Sequence, residues 1–311
     1  MHTHPLTNLV NMYLSNKDLT KGSLELYKLI LDQYVSYLNE TNILYATKAD
    51  VLKWLELSKS KGLSTRWYNH QINALKGFYR YLKDNQARLD LPEVYTYDLM
   101  ETIKSASLRH ETSKPTLSIE EAKHLILYTQ QNQKTISQIR DHAIIYLMMT
   151  SGLRSIEIRR AKRADLKSIQ GHQVLYIQGK GKQAADEYVK VSKGALVALN
   201  KYLTLRQDKN PYLFIAHSRH KGTLNLCRSH IIKMFKRVLM ESGLAYTKTT
   251  AHTLRHTAAT INLKRGASLE ATKQFLRHTH VNATLIYAHH IDRADNDSEA
   301  AIERFLLEEK T

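Results

Sequence analysis

Apolar residues recur at three- and four-residue steps through the first hundred positions, the spacing that gathers them on one face of a helix. Between positions 23 and 39, Leu24, Tyr27, Leu31, Tyr34, Val35 and Leu38 form such a stripe behind the helix-start candidate Ser23. A second helix is expected over 48–60, carrying Val51, Trp54 and Leu55. A third, over 64–84, carries Ile72, Leu75, Phe78, Tyr79 and Leu82, with Gly62 and Asn85 as stop signals. Together these predict a small helical bundle over 1–105.

The periodicity weakens after Thr102, and Arg109-His110-Glu111-Thr112-Ser113-Lys114-Pro115 is polar. Lys114 precedes a proline, which pushes it away from helical backbone angles, so a linker is expected at 106–115. A second domain then covers 116–311 and opens on a helix start at Ser118-Ile119-Glu120-Glu121. The period changes at Val174-Leu175-Tyr176-Ile177-Gln178 and again at Glu187-Tyr188-Val189-Lys190-Val191, which reads as two strands around Gly179-Lys180-Gly181-Lys182. Further helices are expected near 193–206, 225–242, 250–265, 269–278 and 281–288, and a last amphipathic one over about 297–310. The fold class is therefore mainly α: a helical N-terminal bundle and an α-rich second domain holding a small β-hairpin.

Composition changes this picture little. The chain is 42% hydrophobic and 24% charged, as a folded globular protein is. No apolar run approaches the roughly 18 residues of a membrane span, and the start lacks a secretory layout. The single cysteine, Cys227, excludes an internal disulfide framework and suits a reducing, cytoplasmic compartment. Charge changes it more. Residues 151–290 hold 25 Lys and Arg against 7 Asp and Glu, a net +18, whereas 291–311 hold 3 against 7, a net −4. A segment this basic suits a polyanion, because each phosphate contact releases condensed counterions.

Four patches could carry chemistry in that basic segment. They are Gly152-Leu153-Arg154 with Glu157, the Gly179-Lys180-Gly181-Lys182 turn, His252-Thr253-Leu254-Arg255-His256, and Leu276-Arg277-His278 with Tyr287 nine positions further on. Alone, each has a plainer reading. Arg154 suits a surface, the lysine turn suits solvent, and Tyr287 is one of 18 tyrosines. His252 and His256 have the spacing of helical metal ligands, but Thr253 stands where H-E-x-x-H needs glutamate and Arg255 would repel a cation. No metal is expected. Taken together they suit metal-free phosphodiester exchange. Two guanidinium forks match a phosphate, a lysine can protonate a leaving oxygen, and a tyrosine can conserve bond energy in a phosphoester.

In order and spacing, the set resembles the tyrosine recombinase (phage-integrase-type) family, whose pattern runs Arg, Lys, His-x-x-Arg, His, Tyr. It stands here as Arg154, Lys180, His252, Arg255, His278 and Tyr287, and the resemblance covers about 145–290. In overall size the chain is similar to Xer-like and mobile-element recombinases. The resemblance implies a C-shaped clamp on double-stranded DNA recombination sites, a 3′-phosphotyrosyl intermediate, exchange through a Holliday junction, and no cofactor. It also implies a homotetramer on two sites, joined by the tail helix. Type IB topoisomerase-like relaxation and a catalytically idle DNA-binding regulator are the alternatives. One departure stands out. Arg277 occupies the place where the family usually has glycine, with consequences for the turn that carries His278. Lys180 is favoured over Lys182 as general acid, and Glu157 is expected either to pair with an active-site cation or to sit on a helix surface.

Overall fold

The computed structural model describes residues 4–107, 115–179, 182, 184–217, 226–244, 249–285 and 287. The chain divides into two compact units, 1–111 and 112–311. Part of the expected linker, 108–114, and all of the expected tail helix lie outside the described residues, as do Lys180 and Gly181.

The first unit contains helices α1 (Leu6–Ser15), α2 (Lys21–Glu40), α3 (Lys48–Ser60) and α4 (Thr65–Asp84), followed by a 3-10 turn at Glu93–Thr96. The expected stripes form its core: Leu31, Tyr34 and Leu38 meet Ile72, Leu75, Phe78 and Tyr79. Tyr34 and Tyr79 are buried here with their hydroxyls paired, 2.6 Å apart. One boundary and one element differ from expectation. Helix α2 starts earlier, because Thr20 is the cap and its side chain accepts the Ser23 amide. Helix α1 is an additional element that buries Leu6, Val10 and Tyr13, an i, i+4, i+7 pattern too short to dominate its surroundings.

In the second unit, α5 (Ile119–Gln131), α6 (Ile136–Ser151) and α7 (Ser155–Arg160) lead to an antiparallel sheet of β1 (Leu166–Ile169), β2 (His172–Ile177) and β3 (Glu187–Lys190). Ser118 and Glu121 form the expected capping box at the head of α5. The expected hairpin is β2–β3, in the register Val174↔Lys190 to Ile177↔Glu187. Strand β1 was not expected. It is four residues long with an exposed middle, and only its Gln170-Gly171 turn, both residues at positive φ, marks a hairpin.

Helices α8 (Lys193–Thr204), α9 (Arg228–Glu241), α10 (Ala251–Lys264), α11 (Leu269–Leu276) and α12 (Asn282–Leu285) follow. Several are shorter than expected. Helix α11 stops at Leu276 because Arg277 turns left-handed, at φ 55°. Helix α6 lies at the centre and packs on α5, α8 and α10. It is buried on nearly every side, from Ile139 to Met149. A smaller cluster of Ala259, Leu263, Leu276 and Tyr287 sits where α10, α11 and the segment after α12 meet. Among the described residues, no helix is long and apolar enough to cross a membrane.

Candidate active site

Helix α6 ends at Gly152, whose left-handed conformation (φ 59°, ψ 29°) closes the helix and turns the chain toward Arg154. Arg154 caps α7, and Glu157 lies one turn in. The Arg154 amide donates to Glu157 Oε2 at 2.8 Å, and its Nη1 donates to Oε1, also at 2.8 Å. Glu157 is 1% exposed. It is therefore a buried counter-ion to the site's cations, the first of its two expected readings.

Arg255 projects from α10 and is 1% exposed. Its Nη1 donates to the Gly152 carbonyl at 2.5 Å, and its Nη2 donates to the Leu276 carbonyl. These are terminal carbonyls of α6 and α11, groups with no partner inside their own helices. One guanidinium thus joins the ends of two helices. Burial, with Arg154 and Arg277 close by, lowers the Arg255 pKa to about 9. It remains a cation at neutral pH.

Tyr287 follows α12, with its amide donating to the Thr284 carbonyl at 3.0 Å and its ring 2% exposed. Its hydroxyl lies 2.6 Å from Nδ1 of His256, on α10. Burial raises the Tyr287 pKa to about 12, against the opposing pull of Arg255 and Arg154. The hydroxyl therefore holds its proton at neutral pH until a base takes it. The sequence offers His256 only as a motif member and, with His252, as a metal-ligand spacing that Thr253 and Arg255 disfavour. Its link to Tyr287 crosses 31 positions, and no local spacing reveals it.

The two expected histidines flank this pair. His252, exposed on the first turn of α10, lies edge-to-face with His256 at 4.5 Å between centroids. His278, half-buried, hydrogen-bonds Thr284 Oγ1 through Nδ1 at 2.8 Å, and its ring lies parallel to that of Tyr287 at 6.4 Å. Arg154, Arg255, His252, His278 and Tyr287 therefore converge. Lys180 lies outside the described residues. Its neighbour Lys182 is paired with Asp186 at 2.9 Å on an exposed surface, which raises its pKa. The strand end beside it is held by Arg160 Nη1, which donates to the Gly179 carbonyl at 2.9 Å.

Arg277 folds inward. Its Nη2 donates to Glu157 Oε2 at 2.9 Å and its Nη1 to the Phe275 carbonyl at 3.0 Å. The turn that presents His278 therefore forms without glycine.

A basic, largely buried cluster around one tyrosine hydroxyl can bind a phosphate and present it to a nucleophile. Comparison with known proteins identifies the family. Residues 115–293 match the phage integrase family, and residues 6–86 match the phage integrase N-terminal SAM-like domain. The tyrosine recombinase XerA of Pyrococcus furiosus is 27% identical over 277 residues, covering 88% of this chain and 86% of that protein. The tyrosine recombinase XerD of Listeria innocua is 26% identical over 295 residues, covering 91% and 93%. Among solved structures, the XerH site-specific recombinase bound to palindromic difH substrate, in a post-cleavage complex, superposes with a TM-score of 0.71. It is 24% identical, covering 90% of this chain and 80% of that one. The Tn1549 transposon integrase in complex with circular intermediate DNA gives 0.64 at 18% identity, covering 94% and 98%. Its two domain matches and its full-length relatives place the chain in the phage integrase family, as a tyrosine-type site-specific recombinase.

Proposed function

We propose that this recombinase cuts and rejoins DNA at specific sites, with the Tyr287 hydroxyl as nucleophile. The placement of that hydroxyl carries the reading: it stands 2.6 Å from His256 Nδ1, and the nearby Arg255 and Arg154 oppose the rise that burial gives its pKa. Arg154 and Arg255 hold the non-bridging oxygens of the scissile phosphate, and His252 and His278 donate hydrogen bonds to it. The bond from Tyr287 oxygen to phosphorus forms as the bond to the 5′-oxygen breaks, leaving a 3′-phosphotyrosyl link. The phenolic proton passes to a histidine, and His256 Nδ1 is already within hydrogen-bond reach. Lys180 returns a proton to the leaving 5′-oxygen. The freed 5′-hydroxyl then attacks the partner strand's phosphotyrosine, and two such rounds pass through a Holliday junction. The bond energy stays in the phosphoester throughout, so the reaction consumes no nucleotide. The working unit is a homotetramer on two DNA sites, acting in the cytoplasm and joined through the acidic tail at 297–310.

The test is a suicide substrate nicked next to the cleavage position of a cognate site. The wild-type chain accumulates a covalent protein–DNA adduct on it, and Tyr287→Phe accumulates none. An adduct of unchanged yield with Tyr287→Phe, or none with the wild type on any cognate site, defeats the proposal. A supercoiled plasmid without a site separates recombination from relaxation, since this chain leaves it supercoiled.

A further inference from the structure

Arg277 is left unused by the reaction described above, although it is one of three guanidiniums around a single buried carboxylate. It holds a left-handed conformation at φ 55°, which glycine adopts freely and a long side chain such as arginine rarely does. Its guanidinium reaches away from its own turn. Nη2 donates to Glu157 Oε2 at 2.9 Å, and Nη1 reaches both the Phe275 carbonyl at 3.0 Å and the Ser151 carbonyl at 3.4 Å. The side chain is 9% exposed, and its Nη2 is held by the Glu157 carboxylate. The Glu157 carboxylate is shared. Oε1 accepts from Arg154 Nη1, while Oε2 accepts from the Arg154 amide and from Arg277.

We infer that Arg277 is a positioning residue for strand cleavage: by holding Glu157 from the far side, it fixes the Arg154 guanidinium and ties it to the turn that carries His278. Two consequences follow from the geometry. The cap of α7 and the end of α11 are fastened at one carboxylate, and Arg277 Nη1 ties the end of α6 to them through the Ser151 carbonyl, so Arg154 and His278 keep their separation when a phosphate arrives. Arg154, Arg255 and Arg277 also outnumber Glu157 by two charges. Without Arg277, Arg154 would be the one guanidinium still hydrogen-bonded to Glu157, and the carboxylate would draw it away from the phosphate.

The inference rests on the phosphotyrosyl reaction proposed above, and its test uses the full-length chain on the nicked suicide substrate. Arg277→Gly suits the backbone, since glycine favours φ 55°, so the fold is retained. Single-turnover adduct formation is expected to slow by roughly ten- to a hundredfold, the scale on which a small displacement of a reacting group acts. Affinity for the same duplex should change by less than about twofold, because most of it comes from phosphate contacts elsewhere on the basic surface. Millimolar guanidinium ion should restore much of the Arg277→Gly rate by filling the vacated place beside Glu157. Arg277→Lys, which keeps the charge but loses the fork, should fall between the two. Cleavage by Arg277→Gly at the wild-type rate overturns the inference and leaves the reaction standing. So does a slow Arg277→Gly that neither guanidinium nor lysine improves. Absence of any adduct from the wild type defeats the reaction itself, and this inference with it.

Discussion

Gly152 adopts a left-handed conformation while α11 packs directly against it. A Cβ at this position would stand 2.9 Å from Phe275 Cε1 and 3.1 Å from Leu276 Cδ2. Its carbonyl also accepts from Arg255. Gly152→Ala is therefore expected to cost about 1–3 kcal/mol through backbone strain and crowding. It should also slow adduct formation, because relieving the clash moves the carbonyl that anchors Arg255. Urea unfolding and the suicide substrate measure the two effects; stability within about 0.5 kcal/mol of the wild type would contradict the crowding argument. At this scale, resemblance to the family's ordered pattern singled out Arg154, Lys180, His252, Arg255, His278 and Tyr287. It did not find the pairings among them. His256 meets Tyr287 across 31 positions and Arg277 meets Glu157 across 120, and neither separation has a local period. Arg277 was legible as a departure from a pattern, but its destination depends on which helix ends the fold brings together.

The helices read most clearly where they are half-buried. Helix α4 keeps its polar face in water, so its stripe of Ile72, Leu75, Phe78, Tyr79 and Leu82 stands out. Helix α6 is enclosed and α10 buries Thr253, Arg255, His256, Thr257 and Asn262, so periodicity is weak on both. Polar groups buried on such helices need partners. His142, on α6, illustrates the consequence. It is 5% exposed, and its Nδ1–H donates to Thr129 Oγ1 at 2.9 Å, since that hydroxyl's own proton goes to the Ile126 carbonyl. Burial, helped by Lys201, lowers its pKa to about 4. The folded chain then takes up this proton near pH 4, whereas the unfolded chain takes it up near about 6.5. Stability should fall as the pH drops through that interval, by about 2 kcal/mol at pH 5 from this group. His142→Gln keeps a donor toward Thr129 without titrating, so its denaturant midpoint should change less between pH 7 and pH 5. An equal change in both proteins would remove His142 as the cause.

Across the whole molecule, charge is divided by position along the chain: +18 over 151–290 and −4 over 291–311. In the assembly proposed above, like-charged basic surfaces would repel one another, and an acidic segment crossing between subunits would oppose that repulsion. This division was legible in the sequence, whereas the path of the tail was not. No local pattern says whether an amphipathic helix packs on its own chain or on a neighbour. Truncation after Asp292 separates the two. The removed segment, 293–311, holds 3 basic and 6 acidic residues, so the net charge rises from +17 to +20 and electrostatic attraction to a duplex cannot weaken. Binding to a single site should therefore persist, and the adduct should still form on the suicide substrate. Complexes holding two sites together should be lost, and recombination with them, because the contact between neighbouring subunits is gone. Gel mobility at increasing protein concentration resolves one-site from two-site complexes. Undiminished recombination by the truncated chain would mean that the tail serves its own domain or none. Loss of the adduct together with synapsis would mean that it supports the catalytic fold instead.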